Sequence, residues 1–280
     1  MENIIISNPT EFKLKKQKFI SGGAKSIQVV SDFDKTLTTA VYNGTKTNTA
    51  ISQMRQNNLL GEEYAKKSFD LFNKYYPIEI DSSIPEGKKI PLMEEWWSNH
   101  LKIIVEYGMS RKVVEEVINI QSKYLRGGAK DFFKILFSNG VPLLILSSAL
   151  GDVIEGVLKK HKFFTENIYV ISNYFDFNDV GKAIGYKGKI VHVFNKDESQ
   201  IKNTPYFEKI SKRKNILLLG DSVGDLKMTD QIDFDEIIRI GFLNENIKQN
   251  FKEYKKYFDV IILNDGPLDF VNSLLKELFE

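Results

Sequence analysis

With 280 residues, the chain has room for one large domain or two modest ones, at about 150 residues per domain. A hydrophobic fraction of 42% and a charged fraction of 27% exclude disorder and fibrous repeats, and 39 Lys+Arg against 37 Asp+Glu gives no ground to expect a nucleic-acid partner. The lack of cysteine excludes disulfides, thiolate metal sites and cysteine nucleophiles; with no run of roughly 18 apolar residues and no secretory signal pattern, a cytoplasmic protein off the membrane is expected.

In chain order, Asn8-Pro9-Thr10-Glu11 reads as a helix start and Gly22-Gly23 as its end. The β-prone run Ile27 to Ser31 follows, with Asp32-Phe33-Asp34-Lys35-Thr36-Leu37-Thr38 at its carboxyl end. Helical patterns run from Glu62 to Tyr75, Leu92 to Tyr107, Arg111 to Tyr124 (capped by Ser110) and Lys130 to Ser138. Beyond Gly140, strands are expected at Val141–Leu146, Ile168–Ile171, Lys189–Val193, Ile216–Leu219, Ile237–Ile240 and Val260–Leu263. Helices such as Val153–Lys160 and Asn244–Tyr257 lie between them, and Tyr174–Lys187 reads as a hairpin or loop. This alternation predicts an α/β fold with a parallel sheet, whose first strand is separated from the rest by a helical insertion. Such an insertion, leaving from the carboxyl edge of the sheet, would cover the ligand site as a cap.

Three polar signals fall just after apolar strands: Asp32-x-Asp34-x-Thr36, Ser147-Ser148, and Gly220-Asp221-Ser222-Val223-Gly224-Asp225. Alone, each has a plain reading as a capping or turn sequence. Together they bring four carboxylates and a Ser pair to one sheet edge, and like charges so crowded call for a cation. Mg²⁺ suits an all-oxygen set that also meets a phosphate. Asp32 is placed to attack or to bind metal, and Asp34 to handle a proton. Thr36 is expected to brace the turn through the backbone, and His161 and His192 to serve structure.

DFDKTLT, the Ser147 turn, Lys196 and GDSVGD resemble the four motifs of haloacid dehalogenase-type phosphatases, which implies a Rossmann-like core. Tyr76-Pro77-Ile78-Glu79-Ile80-Asp81, Glu95-Trp96-Trp97, Ile171-Ser172-Asn173-Tyr174, His192-Val193-Phe194-Asn195-Lys196 and Leu218-Leu219-Gly220-Asp221-Ser222 narrow the resemblance to the cytosolic 5′-nucleotidase III (pyrimidine 5′-nucleotidase) family. The resemblance implies an aspartyl-phosphate on Asp32, acid–base work by Asp34, and Mg²⁺ held by Asp32, the Asp34 carbonyl and Asp221, with Asp225 ordering the shell. It also implies that Ser147, Ser148 and Lys196 hold the phosphate, that Glu79 hydrogen-bonds the base, and that one of Trp96 and Trp97, with Trp97 favoured, stacks on it.

Three positions depart from the family pattern. Ser148 stands where the family usually has Ala, His100 occupies a cap position where a small hydroxyl residue contacting the nucleotide is expected, and Thr45 to Asn57 lacks the Cys and His of vertebrate members. A Trp at position 97 resembles the branch that accepts 7-methylguanosine monophosphate. The expectation is a monomer with a core of residues 1–38 and 125–280 and a cap of residues 39–124. It would hydrolyse CMP and UMP, with 7-methylguanosine monophosphate, a small phosphomonoester such as phosphoserine, or phosphotransfer to another nucleoside as alternatives. A non-catalytic binding module is disfavoured because both Asp32 and Asp34 are present.

Overall fold

The structure, a computed structural model, describes residues 3–81, 83–196, 204–230 and 232–279. The chain begins with β1 (Ile4–Ile6), α1 (Pro9–Gly22) and β2 (Ile27–Ser31). The insertion that follows holds a ribbon of β3 (Val41–Tyr42) and β4 (Thr45–Lys46), then α2 (Ala50–Gln56), α3 (Glu62–Ile80), α4 (Glu86–Glu106) and α5 (Arg111–Gln121). The chain then returns through α6 (Ala129–Ser138), β5 (Leu143–Leu150), α7 (Gly151–Lys160), β6 (Ile168–Phe177) and β7 (Ala183–Lys187). It ends with α8 (Pro205–Ile210), β8 (Asn215–Gly220), β9 (Glu236–Leu243), α9 (Ile247–Tyr257), β10 (Val260–Leu263) and α10 (Asp269–Phe279). None of the described helices is long and apolar enough to cross a membrane.

The main sheet has the order β1-β10-β9-β8-β2-β5-β6-β7. Its six central strands are parallel, and β1 and β7 are antiparallel edges. Strands β2 and β8 are buried at every residue, because helices cover both faces, so they read as continuous apolar runs. From β2 the chain builds outward first to β5–β7 and later to β8–β10, which makes the edge beside β2 a topological switch point. The register aligns that edge. Ser31 is level with both Leu219 and Ile145, so Asp32, Asp221 and Ser147 emerge together.

Asn8 caps α1 as expected, accepting from the Glu11 N–H at 3.2 Å. The segment Tyr174–Lys187 is the hairpin of β6 and β7. The expected strand at Lys189–Val193 does not form. Instead, the Asn173 side chain satisfies both backbone groups of Val191, at 2.8 and 2.9 Å, and holds the segment as a loop. Helix α4 begins at Glu86 rather than Leu92 and runs through Pro91, which forfeits only the bond to the Gly87 carbonyl. The elements β1, α2 and the β3–β4 ribbon had no counterpart in the sequence reading. Asn43-Gly44, both at positive φ (50° and 77°), makes the ribbon's tight turn.

Arg126, 1% exposed, ties the insertion to the core. Its guanidinium donates to the carbonyls of Thr36 (2.6 Å), Thr38 (2.9 Å), Gly266 (2.7 Å) and Lys35, and pairs with Asp265 at 3.0 Å. Asp265 in turn accepts from the Ala40 and Val41 N–H groups at 2.8 and 2.9 Å. One buried cation thus fixes the turn after β2, including Lys35 at φ 58°, and the point where the chain departs for the insertion. The Thr39 N–H meets the Tyr124 carbonyl at 2.7 Å, so departure and return lie side by side. Arg126→Met removes the buried cation that these carbonyls and Asp265 share. Urea unfolding is expected to show a loss of about 3–5 kcal/mol; a loss below about 1 kcal/mol would refute the clamp.

Candidate active site

At the carboxyl ends of β2 and β8, the carboxylates of Asp32, Asp221 and Asp225 offer oxygens within 4.8 Å of one another. Lys196 Nζ lies 2.7 Å from Asp32 Oδ1 and 3.2 Å from Asp225 Oδ1, all three side chains being buried. Burial alone would push the lysine down, but Asp32 and Asp225 outweigh it and hold the ammonium charged. Three carboxylates facing one ammonium leave two negative charges over, the charge of one divalent cation. Burial, reinforced by the neighbouring acids, accordingly raises the Asp221 carboxyl well above its usual range. The all-oxygen donor set, negative and shielded, fits a hard divalent ion.

Asp225 is fixed by what it accepts. Its Oδ2 receives the Asp221 N–H (3.2 Å), the Ser222 N–H (3.0 Å) and the Ser222 hydroxyl (2.9 Å), closing the 3₁₀ turn Val223–Thr229 with a capping box. A Cβ at Gly220 would lie 2.6 Å from that of Asp225, so only glycine permits this packing. The Tyr254 hydroxyl donates to the Asp221 carbonyl from α9.

Asp34 stands outside the three-carboxylate group, in the wall of a cavity of about 210 Å³. Burial, and then the Asp32 charge, push its carboxyl up to about 7. Thr36 does not brace the turn: its hydroxyl is buried without a partner among the described residues. Thr38 does so instead, accepting from the Lys35 N–H at 2.8 Å. Ser147 is buried next to this edge, its Oγ accepting from the Ala149 N–H at 3.3 Å, while Ser148 lines the cavity. His161 bonds the distant Ser122 carbonyl and His192 accepts from the nearby Phe194 N–H, as expected of structural histidines.

Apart from Ala149, the rest of the cavity wall comes from the insertion and includes Glu79, Trp96, Trp97 and His100. Trp96 stacks on Tyr75 (ring centres 5.8 Å apart), whereas Trp97 has no ring partner among the described residues. Glu79 is half-buried, and burial raises its carboxyl against the opposing pull of Lys89 and Lys196. His100 Nε2 is engaged by Ser68 (3.1 Å) and Tyr64 (3.4 Å), so this nitrogen is taken up within the insertion. Arg55 also lines the cavity and was not anticipated. The apolar spacing of α2 gives little signal, and nothing local marks its arginine as buried.

The model of the Pyrimidine 5′-nucleotidase (UMPH-1) family matches residues 35–279. The chain belongs to this family. It is a 5′-nucleotidase, a phosphoric monoester hydrolase. The nucleotidase is 36% identical over 258 residues to 7-methylguanosine phosphate-specific 5′-nucleotidase of Mus musculus, covering 92% of this chain and 86% of that one. It superposes on the crystal structure of cytosolic 5′-nucleotidase IIIB bound to cytidine with a TM-score of 0.91 at 28% identity, covering 99% and 94% of the two chains. A HAD family hydrolase from Salmonella enterica shares the fold, at 12% identity and TM-score 0.56 over 96% of this chain and 81% of that one. The nucleotidase therefore has the haloacid dehalogenase-like fold, with a helical cap inserted after its first parallel strand.

If the three carboxylates share one ion, MgCl₂ at about a hundred times its Kd is expected to raise Tm by roughly 5–10 °C. Asp221→Asn should abolish that rise while being no less stable than the unsubstituted protein in chelator, because it relieves like-charge crowding. A scan showing the same Mg²⁺ shift in both proteins would refute the shared site.

Proposed function

We propose that the nucleotidase hydrolyses CMP and UMP in a Mg²⁺-dependent reaction through an aspartyl-phosphate. The observation that carries this reading is the Asp32 carboxylate, 2.7 Å from Lys196 Nζ, at the edge from which Asp34 and Ser148 reach a cavity walled by Glu79 and Trp97. Residues 39–124 act as the cap that supplies the substrate contacts, and residues 1–38 and 125–280 as the core that supplies the chemistry. The adjacency of Thr39 and Tyr124 supports that division. The name of the cytidine-bound relative supports a cytoplasmic location.

An Asp32 oxygen attacks phosphorus, the Asp32–phosphorus bond forms, and the bond to the ribose 5′-oxygen breaks. Asp34 gives its proton to that oxygen and the nucleoside leaves. Water then attacks phosphorus while Asp34 takes its proton, releasing phosphate and restoring Asp32. A carboxyl raised by burial to about 7 is suited to both transfers. Lys196, the Ser147 hydroxyl and the Ser148 N–H hold the phosphate oxygens, so positioning and charge compensation carry most of the catalysis. Mg²⁺, held by Asp32, the Asp34 carbonyl and Asp221 with Asp225 behind them, supplies charge neutralisation when bound. Trp97 stacks on the base, which tolerates either pyrimidine, and Glu79 hydrogen-bonds its edge. His100 is proposed to shape the cap wall rather than to bond the nucleotide, since its Nε2 is already engaged.

A second reading, 7-methylguanosine monophosphate, draws on the pairing of the free Trp97 face with the Glu79 carboxylate, which suits a cationic base, and on the name of the mouse relative. Phosphate release from CMP, UMP, AMP, 7-methylguanosine monophosphate and phosphoserine, each with Mg²⁺ and with chelator, tests both readings. Turnover of CMP and UMP only with Mg²⁺ is expected. Turnover of phosphoserine with none of any nucleotide would sink the proposal. Asp32→Asn is expected to lower kcat by at least roughly 10³-fold with the fold intact, and Asp34→Asn to be severely impaired.

A further inference from the structure

Arg55 sits on the last turn of α2, 7% exposed, in the wall of the cavity just assigned to the nucleotide. Its guanidinium lies against two rings, 4.6 Å from the centre of Phe69 and 4.7 Å from that of Phe72. Nη2 donates to the Ser52 hydroxyl at 3.3 Å, but the buried Nε–H has no partner. Among the described residues no carboxylate lies within ion-pair distance of it. His100 does not balance it either. Burial, and then the Arg55 charge, push that imidazole down to about 3, which leaves it neutral.

A guanidinium remains charged throughout the physiological range, and a buried charge without an opposite partner is strongly unfavourable. Its two aromatic neighbours offset part of that cost, but they leave the Nε–H unsatisfied. The guanidinium therefore sets an uncompensated positive charge in the cavity wall. Phosphate is already matched by Lys196 and the Ser147–Ser148 turn, so the group left to meet Arg55 belongs to the nucleoside. Cytosine and uracil offer a neutral carbonyl oxygen. The 7-methylguanine base instead brings a second positive charge into the same small cavity, where charges are poorly screened.

We propose that Arg55 is a specificity-determining residue, selecting nucleotides with neutral, carbonyl-bearing bases and opposing the cationic base of 7-methylguanosine monophosphate. This rests on the reading of the cavity as the nucleotide site, and it weighs against the attraction that Glu79 and Trp97 hold for a methylated base.

The test is the ratio of kcat/KM for CMP to that for 7-methylguanosine monophosphate, measured below neutral pH where the methylated base carries its full charge. The same measurement is made with GMP in place of CMP, since GMP differs from the methylated nucleotide only by the methyl group and its charge. Arg55→Met is expected to lower both ratios by roughly tenfold, whereas Arg55→Lys, which keeps the charge, should hold them within about threefold. Arg55→Gln serves as a second neutral variant should the Met variant fold poorly. Unchanged ratios in the neutral variants, or an equal fall in the Lys variant, would overturn the proposal while leaving the nucleotidase reading standing. Failure of the unsubstituted protein to turn over any nucleotide would overturn the assignment of the cavity and this proposal with it.

Discussion

Crowded negative charge at the carboxyl edge of β2 and β8 is the constraint around which the molecule is arranged. Asp32, Asp221 and Asp225 are packed within 4.8 Å of one another, and two of them, Asp32 and Asp225, share one lysine. Like charges at that separation do not assemble without being held. The parallel register brings Asp32 and Asp221 to the same sheet edge, the Arg126 clamp fixes the turn after β2, and the capping box spends one oxygen of Asp225 on backbone and hydroxyl donors. These contacts lie outside any reacting atom. What they provide is preorganisation, so that charge developing on a transferring phosphoryl group meets partners already in place.

The insertion adds a second, differently charged surface above that edge. Glu79 stands in its wall near Lys89 and Lys196, and Arg55 stands where no described carboxylate answers it. Trp96 is committed to the packing between α3 and α4 through Tyr75, whereas Trp97, also in the cavity wall, has no ring partner among the described residues. The edge of the core gathers a lysine, hydroxyls and carboxylates, whereas the insertion lines the cavity with rings and two opposite charges. The Arg126–Asp265 pair joins them at the one place where the chain crosses twice.

Buried strands and their terminal acids were legible in the sequence because a doubly covered parallel strand is a plain apolar run and its carboxyl end is where chemistry is exposed. DFDKTLT and GDSVGD fell where the runs stop, and the structure brings Asp32, Asp221, Asp225 and Lys196 into one cluster. Lys189–Val193 misled for a related reason: a short apolar run satisfies a strand pattern, yet its backbone partner is the side chain of Asn173, a tertiary fact. The β3–β4 turn did carry a readable signal in Asn43-Gly44. Thr38 rather than Thr36 holds the turn because the direction of each hydroxyl follows from backbone geometry that letters do not encode. Arg126 and Arg55 were illegible, since a buried arginine is defined by partners far away in the chain, or by their absence.

The central claim, that an Asp32 oxygen captures phosphorus beside an ion held jointly with Asp221, is tested most directly by a crystal structure grown with Mg²⁺ and beryllium fluoride, a phosphoryl mimic that bonds to carboxylates. The account expects beryllium on an Asp32 oxygen, its fluorines near Lys196 and the Ser147–Ser148 turn, and the metal between Asp32 and Asp221. Beryllium bound to another carboxylate, or a metal that leaves Asp221 uncoordinated, would contradict it.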